Sequence, residues 1–144
     1  MKTLAIDLDA VLGDTRPLWN AWLDDVGRRA RVNLGAGDEH TLDERLGNWR
    51  ALLGRFAEDH APVYLRPRPE AAAALRRLNA AGVILGAFTE APEPLAGIAL
   101  AHLGGSRSVE VLEAGAGALN RLLERLGPDT VVIRAPGELL QAAA

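Results

Sequence analysis

Two carboxylates, Asp7 and Asp9, interrupt an apolar run in LAIDLDAVLGDT, residues 4–15. Two positions apart at the end of a strand, they would share one side of it. Close together and desolvated they would repel, and a divalent cation is the usual remedy. The alternative is that one caps the following loop and the other faces solvent. Thr89 closes a second apolar run, VILGAF. A hydroxyl beside free backbone N–H groups can hold a phosphate oxygen, or else cap the helix expected after Pro92. Arg134 ends the last apolar run. Its guanidinium could pair with Asp7 or Asp9, or it is an ordinary surface arginine. Arg107 is a weaker candidate for the same pairing.

These residues need elements that bring them together. Leu4–Leu8, Val83–Phe88, Val109–Leu112 and Thr130–Ile133 have strand length and are bounded by Gly, Pro or charge. Helical patterns separate them. Leu119, Leu122, Leu123 and Leu126 make one apolar stripe, ended by Gly127 and Pro128. Ala71, Ala74, Leu75 and Leu78 make another, entered through Pro69. Alternation of this kind predicts an α/β fold with a parallel sheet. Such sheets bind ligands beyond the carboxyl ends of their strands, where Asp7, Asp9 and Thr89 would converge.

Residues 14–66 break the rhythm. Thr15–Arg31 and the series Leu42, Leu46, Trp49, Leu53, Phe56 read as two helices joined by GAGDEHT, with Thr41 as the cap of the second. The organisation expected is a core of residues 1–13 and 67–144 with a helical insertion of residues 14–66.

Composition narrows the partners. The chain has 144 residues, 49% hydrophobic and 24% charged, and a formal net charge of −3. That is one globular domain with no general attraction for nucleic acid or anionic membrane. It contains no cysteine, hence no disulfide framework or thiolate metal site, and no apolar stretch near membrane-spanning length. A leader peptide is not expected, because Asp7 and Asp9 cut the first apolar run short. A cytoplasmic protein is the expectation.

DLDAVLGDT after a strand, a helical insertion behind it, and then RPRPEAAAALRRLNAAGVILGAFTE together resemble the haloacid dehalogenase-like hydrolases. The resemblance implies a Rossmann-like core, with the insertion as a small helical cap. It implies Asp7 as nucleophile, forming an aspartyl-phosphate, and Asp9 as the acid that protonates the leaving oxygen and later activates water. It implies Thr89 on the transferred phosphoryl group, and Mg²⁺ held by Asp7 and Asp9. An acid at position 9 favours phosphatase over dehalogenase chemistry, on a small phosphorylated molecule.

Two parts of the family pattern are missing. A lysine is expected near the start of a later helix, where this chain reads EVLEAGAGALNRLL; Lys2, the only lysine, lies at the wrong end of the first strand. An acid is expected after the last strand, where Arg134 and Ala135 stand and Glu138 is the nearest carboxylate. Arg134 could then balance charge in place of the metal or lysine, as could Arg107, and bind phosphate. Loss of one cationic contributor to phosphoryl transfer costs roughly 10³ to 10⁵ in rate. Two functions are therefore expected to compete: a weak phosphatase, and a noncatalytic binding or assembly module built on the same fold.

Other conspicuous residues have plainer roles. Trp19, Trp22 and Trp49 fall at helical spacing among leucines and should pack the insertion, although if exposed they would suit a homodimer. His40, His60 and His102 are too dispersed for zinc. Arg66 and Arg68 are expected to decorate the return from the insertion.

Overall fold

The computed structural model describes residues 2–144. Four strands, β1 (Thr3–Asp7), β2 (Ile84–Thr89), β3 (Val111–Ala114) and β4 (Val131–Ile133), form one fully parallel sheet in the order β3-β2-β1-β4. Seven helices accompany them among the described residues: α1 (Arg16–Ala30), α2 (Glu39–Arg45), α3 (Trp49–Tyr64), α4 (Pro69–Ala80), α5 (Glu93–His102), α6 (Ala118–Leu126) and α7 (Pro136–Ala142). This is the expected Rossmann-like sheet flanked by helices. No helix is long and apolar enough to cross a membrane among the described residues.

β1 sits between two neighbours and is covered on both faces, which is why TLAID is nearly unbroken in its hydrophobicity. Leu4 and Ile6 face one side with Leu85 and Ala87 of β2, against Leu75, Leu78, Leu95, Leu100 and Leu139 of α4, α5 and α7. Ala5 and Phe88 face the other side, against Ala118 and Leu122 of α6. Each buried Leu or Ile contributes about 1.5 to 3 kcal/mol by leaving water. The insertion shares the first of these clusters through Trp22, Trp49 and Leu53.

The insertion departs from expectation in having three helices where two were expected. The apolar series from Leu42 to Phe56 spans a break, because the chain turns extended at Leu46 and restarts at Trp49. Gly47 and Asn48, poor helix formers, occupy the gap, and Trp49 Nε1 donates across it to Asp43 Oδ1 at 2.8 Å. The second helix is capped by Asp38 and not by Thr41; Thr41 donates its N–H and hydroxyl to that carboxylate, both at 2.9 Å.

Strand β1 ends at Asp7, one residue earlier than the apolar run suggests. Residues Leu8–Leu12 wind into a single π-helical turn, closed by Gly13 N–H on Leu8 O at 3.0 Å. Such turns are rare and concentrate at functional sites. A Cβ at Gly13 would come within 2.7 Å of Leu103 Cδ2, so the buried Leu103 side chain would have to shift to admit one.

Candidate active site

The π-helical turn decides where the two acids point. Asp7 is the last residue of β1, and its Oδ1 accepts Ala10 N–H at 3.3 Å, capping the turn. Asp9 lies inside the turn, so strand alternation does not place it. It nevertheless lines the same cavity as Asp7, a cleft of about 600 Å³ beyond the carboxyl ends of β1 and β2.

Asp9 is held from two directions. Oδ1 accepts the Thr15 N–H at 2.8 Å and the Thr15 hydroxyl at 2.6 Å. Oδ2 accepts the Thr89 hydroxyl at 2.6 Å, and that hydroxyl in turn accepts Ala91 N–H at 3.1 Å. Thr15 and Thr89 are both buried, at 2% exposure, so neither hydroxyl has bulk water as a partner to fall back on. Thr89 is thus brought into the cavity as expected, with its proton given to Asp9.

Asp7 is the less hydrogen-bonded of the pair. Its Oδ2 faces Arg134, whose Nη1 lies 3.9 Å away, and the Arg134 Cζ stands 5.8 Å from the centre of the Phe88 ring. Arg134 therefore turns into the cavity, as expected. Arg107 does not: it is exposed on the loop entering the amino end of β3, away from the cavity. Lys2 likewise sits at the amino end of β1.

The wall carries further groups. Arg16 lines the rim and is clamped by Asp14, with two side-chain contacts of 2.9 Å. That hydrogen-bonded guanidinium holds the Asp14 carboxyl below the usual carboxylate range. Gly117, Ala118, Leu119 and Asn120, the start of α6, form the wall where the family lysine is expected. Ala91 N–H is already taken by Thr89, and Gly115 N–H by the carbonyls of Thr89 and Ala91. Outside the cavity, Arg68 Nη1 donates to Ala10 O at 3.3 Å and Val11 O at 3.2 Å. Far from decorating the return, Arg68 ties it to the turn that carries Asp9.

Sequence reasoning passed over Thr15, Arg16 and Arg68 as site residues. Thr15 ends the quoted motif, six residues past Asp9, and only the unusual turn brings it back. Arg68 reaches a turn 57 and 58 positions away, which no local pattern reveals. Trp22 and Trp49 are buried and pack together at 6.2 Å between ring centroids, so neither ring offers itself to a partner. His40 pairs with Glu44, His60 stacks on Phe56, and His102 Nε2 meets Leu65 O.

The donor set does not suit Mg²⁺. This ion wants near-octahedral oxygen ligation. Both Asp9 oxygens are occupied by hydroxyl and amide donors, and a guanidinium stands beside the outward oxygen of Asp7. Glu138, the nearest acid after β4, is engaged by Arg134 N–H at 3.0 Å. Among the described residues no three acids or histidines gather closely enough to share a cation.

No protein-family model matches the chain, and no curated protein does. Solved structures match it in fold. A Thermotoga maritima protein provisionally named a beta-phosphoglucomutase is 20% identical with a TM-score of 0.58, over 99% of this chain and 82% of that one. CbbY from Rhodobacter sphaeroides, solved in complex with phosphate, is 17% identical with a TM-score of 0.63, over 92% of this chain and 76% of its own. The chain shares the fold of these two proteins, a parallel sheet flanked by helices, which is the fold that the resemblance to the haloacid dehalogenase-like hydrolases implies.

Proposed function

We propose that the chain is a slow phosphohydrolase acting on a small phosphomonoester through Asp7. The observation that carries this reading is the unequal setting of two carboxylates in one cavity: Asp9 restrained by three donors, Asp7 Oδ2 turned outward with only Arg134 facing it. Carboxylates in different surroundings can take different parts in acid–base and nucleophilic chemistry.

In the proposed reaction Asp7 Oδ2 attacks phosphorus and the P–O bond to the alcohol breaks. Asp9, in its protonated form, gives the departing oxygen a proton. Water then attacks the aspartyl-phosphate, Asp9 takes a proton from it, and inorganic phosphate leaves with Asp7 regenerated. Arg134 meets the phosphoryl oxygens as a fixed positive charge. Thr89 has one hydroxyl proton and, with substrate present, two acceptors. A phosphoryl oxygen that accepts the Thr89 hydrogen bond in place of Asp9 Oδ2 frees that oxygen for its own proton transfer. Without a lysine or a complete metal site, turnover is slow, by the roughly 10³ to 10⁵ that one missing cationic contributor costs.

The test is hydrolysis of a panel of small phosphomonoesters by the native chain and by Asp7→Asn. Slow turnover that vanishes in the variant is expected; equal background in both proteins overturns the reading. A second reading, a noncatalytic binding module, is favoured by one observation, the Arg134 guanidinium facing the oxygen that would attack. It predicts that equal background, together with calorimetric binding of inorganic phosphate.

A further inference from the structure

We propose that Arg134 stands in for a divalent cation in this cavity, so that the chain orders Asp7 without metal and keeps Mg²⁺ out. The inference takes the same cavity as the site of the proposed function but does not depend on turnover.

The backbone makes the case before the side chain does. β1 pairs with β2 on one side and β4 on the other, with Asp7 opposite Phe88 and Ile6 opposite Ile133. Residue 134 is the next position of β4's path, so it emerges beside Asp7 whatever rotamer its side chain adopts. Phe88, Asp7 and Arg134 thus form a row across three adjacent strands at the carboxyl rim. The side chain uses that placement: Nη1 approaches Asp7 Oδ2 to 3.9 Å while the guanidinium leans over the Phe88 ring. An aromatic face beside a guanidinium favours that position further.

The backbone of Arg134 is itself pinned. Its N–H donates to Glu138 Oε1, three positions into α7. The contact has a second effect, since it engages the one carboxylate after β4 that could have supplied a further oxygen ligand. Glu138 does not line the cavity. A cation entering here would find Asp7 facing a positive charge, Asp9 already accepting from three donors, and the one further acid on the cavity wall, Glu90, outside any cluster of three ligands among the described residues. Arg suits the replacement better than Lys, because its charge persists at any working pH and spreads over a fork that can meet carboxylate and phosphoryl oxygens together.

Manganese, which reports its binding by electron paramagnetic resonance and takes oxygen ligands as Mg²⁺ does, is the probe. The native chain is expected to leave Mn²⁺ free at millimolar concentration. Arg134→Asp, which removes the guanidinium and adds a carboxylate beside Asp7, is expected to tighten Mn²⁺ binding at least about tenfold, the scale on which neighbouring groups tune metal sites. Added Mg²⁺ should displace that Mn²⁺, and Asp7→Asn in the Arg134→Asp background should abolish its binding. Native protein that binds Mn²⁺ with an affinity lost in Asp7→Asn overturns the proposal outright, with no dependence on how the Arg134 variant folds. So does a folded Arg134→Asp that binds no better than native. Failure of the phosphohydrolase reading shows separately, as turnover unaltered by Asp7→Asn.

Discussion

Thr89 donates its hydroxyl proton to Asp9 at 2.6 Å, joining the ends of two neighbouring strands across 80 positions of sequence. Hydrogen bonds to charged groups contribute about 1.5 to 3 kcal/mol, more than neutral ones. Thr89→Val keeps the shape and removes the donor, leaving Ala91 N–H and an Asp9 oxygen without it. We expect a loss of about 1.5 to 3 kcal/mol in urea unfolding, with Thr89→Ser close to native. A Val variant as stable as Ser would show the bond to be dispensable.

Arg68 holds the Ala10 and Val11 carbonyls, and Thr15 holds Asp9. These two residues lie on the return from the helical insertion and on the way into it, so both of its connections grip the same turn. Arg68→Ala should therefore loosen the turn locally. Amide hydrogen exchange at Gly13 and Thr15 is expected to quicken by about tenfold or more, while β1 and β2 amides hold. Uniform change throughout the sheet would instead mark Arg68 as a general stabiliser.

Glu113 sits between Arg121 and Arg125, with contacts of 3.0 and 2.8 Å. The hydrogen bonds from Arg125 and Arg121 lower its pKa from the ordinary 4.5. A carboxyl depressed in the folded state stabilises it above the ordinary value, and this contribution is lost as pH falls through the folded one. Native protein should consequently lose stability more steeply than Glu113→Gln as pH falls below the ordinary 4.5. Parallel curves from urea titrations at several pH values would remove Glu113 from the account.

Gly86 of β2 lies under α6, where an added Cβ would meet Leu122 and Leu126 methyls at 2.8 Å. Leu126 is half-buried and can swing away, whereas Leu122 is fully buried. Gly86→Ala is expected to cost about 1 kcal/mol, the low end of overpacking. Leu122→Ala in the same chain should relieve part of it, measured as non-additivity in a double-mutant cycle.

The sheet was readable because its strands are short apolar runs closed by Gly, Pro or charge; each observed strand falls within two residues of its expected start. The gathering of Asp7, Asp9, Thr89 and Arg134 around one cavity was legible for the same reason, since all lie where an apolar run ends. The break at Leu46–Asn48 was missed because the apolar spacing from Leu42 to Phe56 stays helical across it, which outweighed Gly47 and Asn48; the Trp49–Asp43 contact then fixes the corner. α7 was missed because seven residues carry too little periodicity. The grip of Arg68 and Thr15 follows from a π-helical turn, and a single turn with that hydrogen-bond pattern has no composition of its own.

The sheet's outermost strands are stubs, four residues in β3 and three in β4. An unpaired strand flank is an invitation to another chain, which can add its own backbone to the ladder and start an aggregate. Only a few N–H and C=O groups are open to such addition here, although Val131 is 48% exposed on β4. Lengthening β4 by substituting a β-branched residue at Asp129, next to the already β-branched Thr130, would therefore be a poor way to stiffen the molecule, since it would extend the sheet where self-association begins.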